Sequence, residues 1–269
     1  MLVTVSDIIT WMEEQLPKKS ETVDQLLYGN RNQPVEKVAV AFMPSIETIK
    51  QAKRIGADLL ICHESPYYNH QNPQQHESSV VMKQKIKWLK EQGLAIYRNH
   101  DSVHRQQPDL ITKGLVKELG WEKYRIDTDP IQTSIQIPET SFEAILLHIK
   151  EKLNLKQVKY VGNLTNQIRN ISLSVGYRGS GEHTIPQLEK NELVIYGEGP
   201  EWETPEYVKD ALALGMNKNI IILGHMQSEE PGMKLLAGEL AKRFPEVTAE
   251  FIAANTFIHS YDEGNDKER

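Results

Sequence analysis

Short apolar runs alternate with amphipathic segments along most of this chain. Residues 37–42 (KVAVAF) and 58–62 (DLLIC) are mainly apolar, as expected of strands that are buried on both faces of a sheet. Segments 46–55 and 77–92 have apolar residues three and four positions apart, which predicts helices, and a third apolar run follows at 94–98. This strand–helix–strand order predicts a mainly parallel sheet with helices on both faces.

The second part of the chain repeats this order. Its predicted elements are strands at 169–175, 192–196, 219–223 and 248–252, and helices at 180–190, 204–214 and 231–244. KVAVAF pairs with RNISLSV, ADLLICHE with ELVIYGE, and GLAIYRNHDSVH with NKNIIILGHMQSE, each about 125–135 residues further on. We therefore predict an α/β fold of two similar, duplicated halves, with mainly parallel or mixed sheets covered by helices.

The repeat also predicts how the chain is divided. The first half covers 1–125, a connecting segment covers 126–165, and the second half covers 166–269. The connecting segment contains a predicted strand at 131–137 and a predicted helix at 141–153, for which a serine is the expected N-cap.

Composition narrows the class of protein. The 269 residues carry a formal net charge of −6, and no block of lysine or arginine dominates any segment, so direct nucleic-acid binding is not expected. No apolar run approaches the roughly 20 residues that a membrane-spanning helix needs, so a membrane partner is not expected either. The single cysteine, Cys62, cannot form an internal disulfide. We expect a buried thiol and a cytoplasmic protein.

Imidazole and carboxylate side chains follow the predicted strands. The carboxyl ends of parallel strands gather at one edge of a sheet, which is where ligands bind in α/β proteins. The residues that follow successive strands are His63 and Glu64, then His100, Asp101 and His104, then Glu198, and finally His225 and Glu229. Imidazole suits zinc, iron and manganese, and carboxylates can bridge two ions. The pattern therefore predicts a metal site.

Each of these residues also has a simpler explanation when it is taken alone. A histidine after a strand is usually a polar surface residue, and Glu229 beside Glu230 is typical of an acidic helix start. The joint pattern favours metal binding by His63, Glu64, His104, His225 and Glu229. Because Gly224 and Pro231 flank the last pair, we expect His225 in a loop and Glu229 near the entrance of the helix at 231–244.

Other polar features are less specific. The glycines of the GSG string at 179–181 follow a strand and open a helix, so the string could cradle a phosphate or could form a tight turn. The polar segment 69–76 is predicted to be a surface loop that could overhang a site. The remaining histidines show no comparable partners along the sequence, and His148 is expected to pack in its helix: His70, His76, His148, His183 and His259.

At these residues the chain resembles the Nif-three-like family, whose members are often named GTP cyclohydrolase type 2 homologues. The strings DQLLYGN, ADLLICHESPYY, IYRNHDSVH, GSG, YGE and GHMQSE occur in the order and spacing of that family. The family's His-His-Pro motif reads HESP here, with Glu64 in place of the second histidine. Its His-Thr-Asn-Leu-Asp motif reads HDSVH, with His104 in place of the metal-binding aspartate. The final motif is intact, with His225 and Glu229.

The two departures compensate for each other, because three histidines and two carboxylates are kept. The resemblance implies two divalent ions, such as zinc, iron or manganese, and a hydrolase acting on a nucleotide such as GTP, with His100 or Glu198 moving the proton. It also implies a ring-shaped homohexamer.

The alternative to a hydrolase is a non-catalytic metal-binding regulatory or assembly protein, and a third interpretation is a metal store or chaperone. Open coordination positions would favour catalysis.

Overall fold

The computed structural model of the protein describes residues 2–14, 21–72, 74–126, 132–254 and 258. The structure is an α/β fold with two five-stranded mixed sheets covered by helices, so the predicted fold class is confirmed. His259 and the charged segment 262–269 lie outside the described residues. None of the described helices combines the length and the apolar character needed to cross a membrane.

The helices are spread along the whole described chain. The α-helices are α1 (Val5–Glu14), α2 (Ile46–Arg54), α3 (Val80–Lys90), α4 (Asp101–Arg105), α5 (Leu110–Glu118), α6 (Phe142–Lys152), α7 (Gly181–Lys190), α8 (Thr204–Ala213) and α9 (His225–Arg243). A 3-10 turn covers Glu122–Tyr124. Ser141 caps α6 as predicted, because its side chain accepts a hydrogen bond from the Ala144 amide.

The strands fall where the apolar runs predict them, with additional short strands at the edges. They are β1 (Gln25–Tyr28), β2 (Lys37–Ala41), β3 (Leu59–Cys62), β4 (Ala95–Arg98), β5 (Thr133–Ser141), β6 (Lys159–Val161), β7 (Gln167–Leu173), β8 (Leu193–Tyr196), β9 (Asn219–Ile222) and β10 (Thr248–Ile252).

The two sheets have closely similar centres. The first has the order β1-β4-β3-β2-β10 and the second the order β5-β7-β8-β9-β6. In each, three consecutive strands run parallel, β2-β3-β4 or β7-β8-β9, and an antiparallel strand lies beside the last of them, β1 or β6. The short helix α4 follows β4 just as α9 follows β9. These are the strands that the predicted repeat pairs with each other.

The chain does not divide between the sheets in consecutive pieces. β10, within the range 166–269 expected to form the second half, pairs in parallel with β2 of the first sheet. β5 and β6, within the expected connecting segment 126–165, are edge strands of the second sheet. The sequence pattern could not indicate this pairing, because hydrophobicity predicts that a segment is a strand but not which strand it pairs with. The domain boundaries themselves stay a prediction.

The inner faces of both sheets share one hydrophobic core with α1, α5, α6 and α9, whereas α2 and α3 cover the outer face of the first sheet and α7 and α8 that of the second. Helices α5 and α9 cross closely at Gly114 and Gly232, where a Cβ on either residue would overlap the backbone of the other helix. This crossing fixes the position of α9 against α5, and α9 carries two of the predicted ligands.

Helix α9 begins at His225 rather than at Pro231, so the expected loop around His225 was wrong. Gly224 has a φ of 98° and forms the N-cap, which lets the chain turn directly from β9 into the helix. Pro231 lies inside the helix and removes one backbone hydrogen bond. Burial of Met226, Met233 and Leu236 offsets that cost.

Candidate metal centre

A cluster of imidazoles and carboxylates lies where the carboxyl ends of β3 and β4 meet the start of α9. His63 and Glu64 follow β3 directly, and His104 lies in α4. His225 and Glu229 are four residues apart in α9, so they face the same side of the helix. The structure therefore brings together the five residues that the sequence predicts as ligands. That they bind metal stays a prediction.

We call His63, His104, His225 and Glu229 the inner group. The Oε2 atom of Glu229 lies 3.2 Å from His63 Nε2 and 3.1 Å from His225 Nε2. Its Oε1 atom lies 3.7 Å from His104 Nε2. The side chains of His63 and Glu229 are 0% and 3% exposed, whereas those of His104 and His225 are 13% and 29% exposed, so the cluster is buried at Glu229 and opens towards solvent at His225.

Each imidazole of the inner group uses its other ring nitrogen to donate a hydrogen bond to an oxygen. The pairs are His63 Nδ1 with the Asn99 main-chain oxygen at 3.3 Å, His104 Nδ1 with Asp109 Oδ2 at 2.9 Å, and His225 Nδ1 with Glu198 Oε1 at 2.9 Å. A proton held at Nδ1 leaves the Nε2 lone pair of a neutral imidazole directed at Glu229. Such contacts fix the tautomer and orientation of metal-binding histidines.

Three polar atoms at the centre of the cluster are buried and have no hydrogen-bond partner among the described residues: His63 Nε2, Glu64 Oε1 and Glu229 Oε2. The contacts at 3.1–3.2 Å around Glu229 Oε2 bring these atoms close without hydrogen-bond alignment. Burying polar atoms without partners is costly. A divalent cation would satisfy all three, and the donor set of nitrogen and carboxylate oxygen suits zinc, iron or manganese.

Gly176, just beyond the end of β7, and Ser228, within the first turns of α9, hold the start of α9 in place. Gly176 has a φ of 63°, and a Cβ at this position would overlap Glu229 Oε1. The Gly176 amide donates to Ser228 Oγ at 2.9 Å, and Ser228 Oγ donates to the His225 carbonyl at 2.7 Å. The end of β7 is thus joined to the turn that carries both ligands.

Asp24 holds the turn that carries His100 and His104. Its carboxylate accepts hydrogen bonds from the main-chain amides of His100, Asp101 and Ser102 at 2.7–2.8 Å. A carboxylate is favourable at the start of a helix because the first amides lack partners within the helix. Sequence reasoning missed Asp24, since its partners lie more than 70 residues away along the chain.

The carboxylates change the protonation of the metal-free cluster. Burial lowers the pKa of His63 and His225, but Glu229 and the other carboxylates outweigh burial and raise both values, that of His225 to about 9. Burial raises the pKa of Glu229, but His63 and His225 hold it well below its usual range. Without an ion, protons therefore provide the positive charge that balances the carboxylates.

A second set of ligands lies beside the inner group. We call Glu64, His70 and His100 the outer group. Glu64 Oε2 lies 2.7 Å from His70 Nε2, and the rings of His70 and His100 are 4.6 Å apart. The expectation that His70 has no partner was wrong. Its loop was predicted to overhang a site, but the sequence pattern gives no reason to choose this histidine within the loop.

The two residues predicted to move a proton have different surroundings. His100 stacks on His63 with 4.6 Å between ring centroids, and its Nδ1 donates to Asp101 Oδ1 at 2.9 Å. Burial lowers the pKa of His100. Glu198 is 49% exposed and accepts from His225, so it lies at the mouth of the site. Both contact residues of the inner group, and their catalytic roles stay predictions.

The GSG string does not leave a free helix N-terminus for a phosphate. The Gly181 amide at the start of α7 donates to Glu203 Oε2 at 2.6 Å, which places a carboxylate where a phosphate would have to bind. Gly179 packs against Tyr196 and Gly199 so closely that a Cβ would not fit. Of the two interpretations, the tight turn is the one that the structure supports.

Two predictions about residues outside the predicted ligand set are confirmed. Cys62 is a buried free thiol whose pKa is raised by burial. His148 stacks on Trp121, with 5.6 Å between ring centroids, and its Nε2 donates to the Leu119 carbonyl at 2.8 Å.

The fold and the cluster define a class of protein: two linked α/β sheets with a histidine–carboxylate centre between them. The chain belongs to the Duf34/NIF3 (NGG1p interacting factor 3) family, whose sequence model matches residues 3–257. The resemblance found in the motifs is therefore confirmed at the level of the family.

Similar proteins cover nearly the whole chain. A Clostridium perfringens protein named GTP cyclohydrolase 1 type 2 homolog is 27% identical over 266 residues, covering 93% of this chain and 95% of that protein. A Chlamydia pneumoniae protein of the same name is 24% identical over 267 residues, covering 95% and 100%.

Solved structures share the fold. A hypothetical protein of Staphylococcus aureus has a TM-score of 0.73 at 16% identity, covering 97% of this chain and 100% of that one. Reduced HcgD from Methanocaldococcus jannaschii has a TM-score of 0.69 at 20% identity, covering 95% and 99%. At these identities the similarity shows the fold and nothing more about function.

Proposed function

We propose that this protein is a metal-dependent hydrolase whose centre holds two divalent ions. The observation that carries the proposal is the arrangement of the inner group. Three imidazoles have Nδ1 bound to an oxygen and Nε2 directed at Glu229 or Glu64. Glu229 and the neighbouring Glu64 each have a buried carboxylate oxygen without a hydrogen-bond partner among the described residues. His63, His104, His225 and Glu229 would hold one ion, and Glu64 would lie between the two.

A pair of divalent ions supplies a water of lowered pKa and stabilises the negative charge that develops during hydrolysis. The residues of this chain hold that chemistry in place. Glu198, half-exposed beside His225, can accept a proton at the mouth of the site. His100, stacked on His63, is the other candidate for this role. Five protein ligands for two ions leave coordination positions for water, which favours catalysis over a purely structural role.

We further propose a nucleotide-like substrate, such as a purine nucleotide whose imidazole ring is opened. The support is the name of the two curated relatives, GTP cyclohydrolase 1 type 2 homolog. Because Glu203 occupies the N-terminus of α7, the GSG turn takes no part in phosphate recognition in this proposal. A small-molecule substrate, a homohexameric assembly and a cytoplasmic location complete it. Light scattering during size-exclusion chromatography would measure the subunit number.

The alternative function is a non-catalytic metal-binding protein that acts in regulation or assembly. The observation in its favour is the burial of His63 and Glu229, because a structural ion needs no coordination position that a substrate can reach. The family description, which names an interacting factor, points the same way. Metal that stays bound while no nucleotide is turned over would favour this alternative.

The test is the metal content per chain of protein purified without chelator, measured for wild type and for His225→Ala. The control is His183→Ala, which removes an exposed histidine from α7. We expect about two equivalents of a transition metal in wild type and control, a loss in His225→Ala, and hydrolysis of GTP only by the loaded proteins. Wild-type protein that binds no zinc, manganese or iron would contradict the proposal.

A further inference from the structure

The outer group has the composition and spacing of a metal site of its own. One ligand atom from each of Glu64, His70 and His100 lies within 4.8 Å of the other two. Bonds from zinc to nitrogen or carboxylate oxygen are about 2.0–2.2 Å long, so modest side-chain movement would bring all three atoms onto one ion. The group lies next to the inner group, because the rings of His100 and His63 are 4.6 Å apart.

The outer group, like the inner group, contains buried polar atoms that lack a hydrogen-bond partner among the described residues. His70 Nδ1 and Glu64 Oε1 are buried and have no hydrogen-bond partner among the described residues. His100 Nδ1 donates to Asp101, whose other oxygen accepts from the Val23 amide at 3.1 Å. The Asp101 carboxylate thus orients the His100 ring in the way that carboxylates orient metal-binding histidines elsewhere.

Glu64 faces both groups. Its Oε2 atom lies 2.7 Å from His70 Nε2, whereas its Oε1 atom lies 3.6 Å from His225 Nε2. The two oxygens of one carboxylate can each bind a different ion when the ions are about 3.5–4 Å apart. A single imidazole at this position would present only one nitrogen to the cluster.

We propose that Glu64, His70 and His100 hold the second ion, with Glu64 bridging it to the ion of the inner group. This inference rests on the proposed function, since it assigns ligands to the second of the two ions. It adds His70 to the ligands, and it turns His100 from a proton carrier into a ligand. Proton transfer then falls to Glu198 at the mouth of the site.

The inference also gives a role to the loop that carries His70. This loop is held to the first sheet by Arg98, whose Nη1 donates to the His70 carbonyl at 3.4 Å and whose Nε donates to the Val23 carbonyl. Binding of the second ion would add a link from the His70 side chain to Glu64 at the end of β3. The loop would then form one wall of the loaded site.

The test compares His70→Ala with His76→Ala, which removes an exposed histidine from the same loop. Zinc-free protein is titrated with Zn²⁺ in competition with a chromophoric chelator, so that each equivalent is measured without any activity assay. We expect two equivalents in wild type and in His76→Ala. In His70→Ala we expect the first equivalent unchanged and the second weakened by at least about 100-fold, because a ligand is lost. A second variant, His70→Gln, keeps a hydrogen-bond donor for Glu64 and should weaken the same equivalent.

Two results would overturn the inference, and they are distinguishable. Two equivalents of unchanged affinity in both His70 variants would remove His70 from the site while leaving the two-ion hydrolase intact. Wild-type protein that binds no Zn²⁺ would contradict the proposed function and the outer site together. The melting temperatures of the zinc-free variants show whether a lost equivalent reflects a lost ligand or a lost fold.

Discussion

The inner and outer groups use the same side-chain types, but only the inner group has fully buried members, and the two groups differ in the elements that support them. In the inner group the side chains of His63 and Glu229 are at most 3% exposed, that of His104 is 13% exposed and that of His225, at the mouth of the site, is 29% exposed. All three side chains of the outer group are 18–28% exposed. The inner ligands follow β3 or lie on α4 and α9, and α9 is fixed by close glycine contacts. The outer group depends on one histidine from a loop.

This difference predicts an order of binding. Ligands on rigid elements are already in place, so an ion there has little ordering cost to overcome. An ion in the outer group must also order the His70 side chain and displace its contact with Glu64. We therefore expect the inner ion to bind first and more tightly, and the outer ion to exchange more readily.

The largest change is expected from Glu229→Gln. Glutamine keeps the shape of the side chain but removes the charge that faces His63, His104 and His225. We expect the affinity of the first Zn²⁺ equivalent to fall by more than about 100-fold, beyond what indirect contacts contribute. Glu239→Gln, which changes a 35% exposed carboxylate further along the same helix, is the control for isothermal titration. Equal affinities of Glu229→Gln and Glu239→Gln for the first Zn²⁺ equivalent would contradict the assignment of the first ion to the inner group.

The pH dependence of metal binding is the next largest effect. In the metal-free protein the pKa of His225 is about 9 and that of His63 is also raised, so an incoming ion must displace protons from both. The affinity should therefore fall as the pH falls from 9 to 6, by about tenfold per unit for each proton displaced. Calorimetry in buffers of different ionisation enthalpy counts those protons. Binding without proton release would contradict the protonation of the inner group.

Glu198→Gln should have a smaller effect. The carboxylate accepts from His225 Nδ1 at 2.9 Å and so orients that ring, but it is 49% exposed. Removing such a contact lowers metal affinity by about 10–100-fold. Because Glu198 is half-exposed, we expect a loss near the lower end of this range, about tenfold. Glu201→Gln, at an 81% exposed position, is the matched control. If the hydrolase proposal is right, turnover should fall more than affinity does, and a parallel fall would assign Glu198 to positioning alone.

The smallest effect concerns the stability of the metal-free protein. The pKa of His225 is raised from 6.5 to about 9, so its contribution to stability is complete below pH 6.5 and is lost as the pH rises through 9. Between pH 7 and 9.5, the Tm of chelator-treated wild type should fall by about 5–10 °C more than that of His225→Asn. Identical shifts in the two proteins would show that His225 is not protonated in the cluster.

Strands and strand ends could be predicted because they depend on local patterns. The apolar runs fix β2, β3, β4 and their counterparts, and residues just beyond a parallel strand lie at the edge where sites form. That reasoning picks out His63, His104 and His225 as neighbours without any knowledge of the helices between them.

Features that depend on distant contacts could not be predicted in this way. The pairing of β10 with β2 joins residues more than 200 positions apart. Asp24 and His70 acquire partners only once the first sheet has formed, and α9 starts at His225 because tertiary burial outweighs the local preference of Pro231 to begin a helix. The phosphate interpretation of the GSG turn fails for a similar reason, since the side chain of Glu203 reaches that amide from a neighbouring element.

The most direct test of a two-ion centre is the anomalous scattering from crystals of the zinc-loaded protein, recorded on both sides of the zinc absorption edge. We predict two peaks about 3.5–4 Å apart, one bounded by His63, His104, His225 and Glu229, the other by His70 and His100, with Glu64 between them. A single peak, or peaks only at surface histidines such as His76 and His183, would contradict this account.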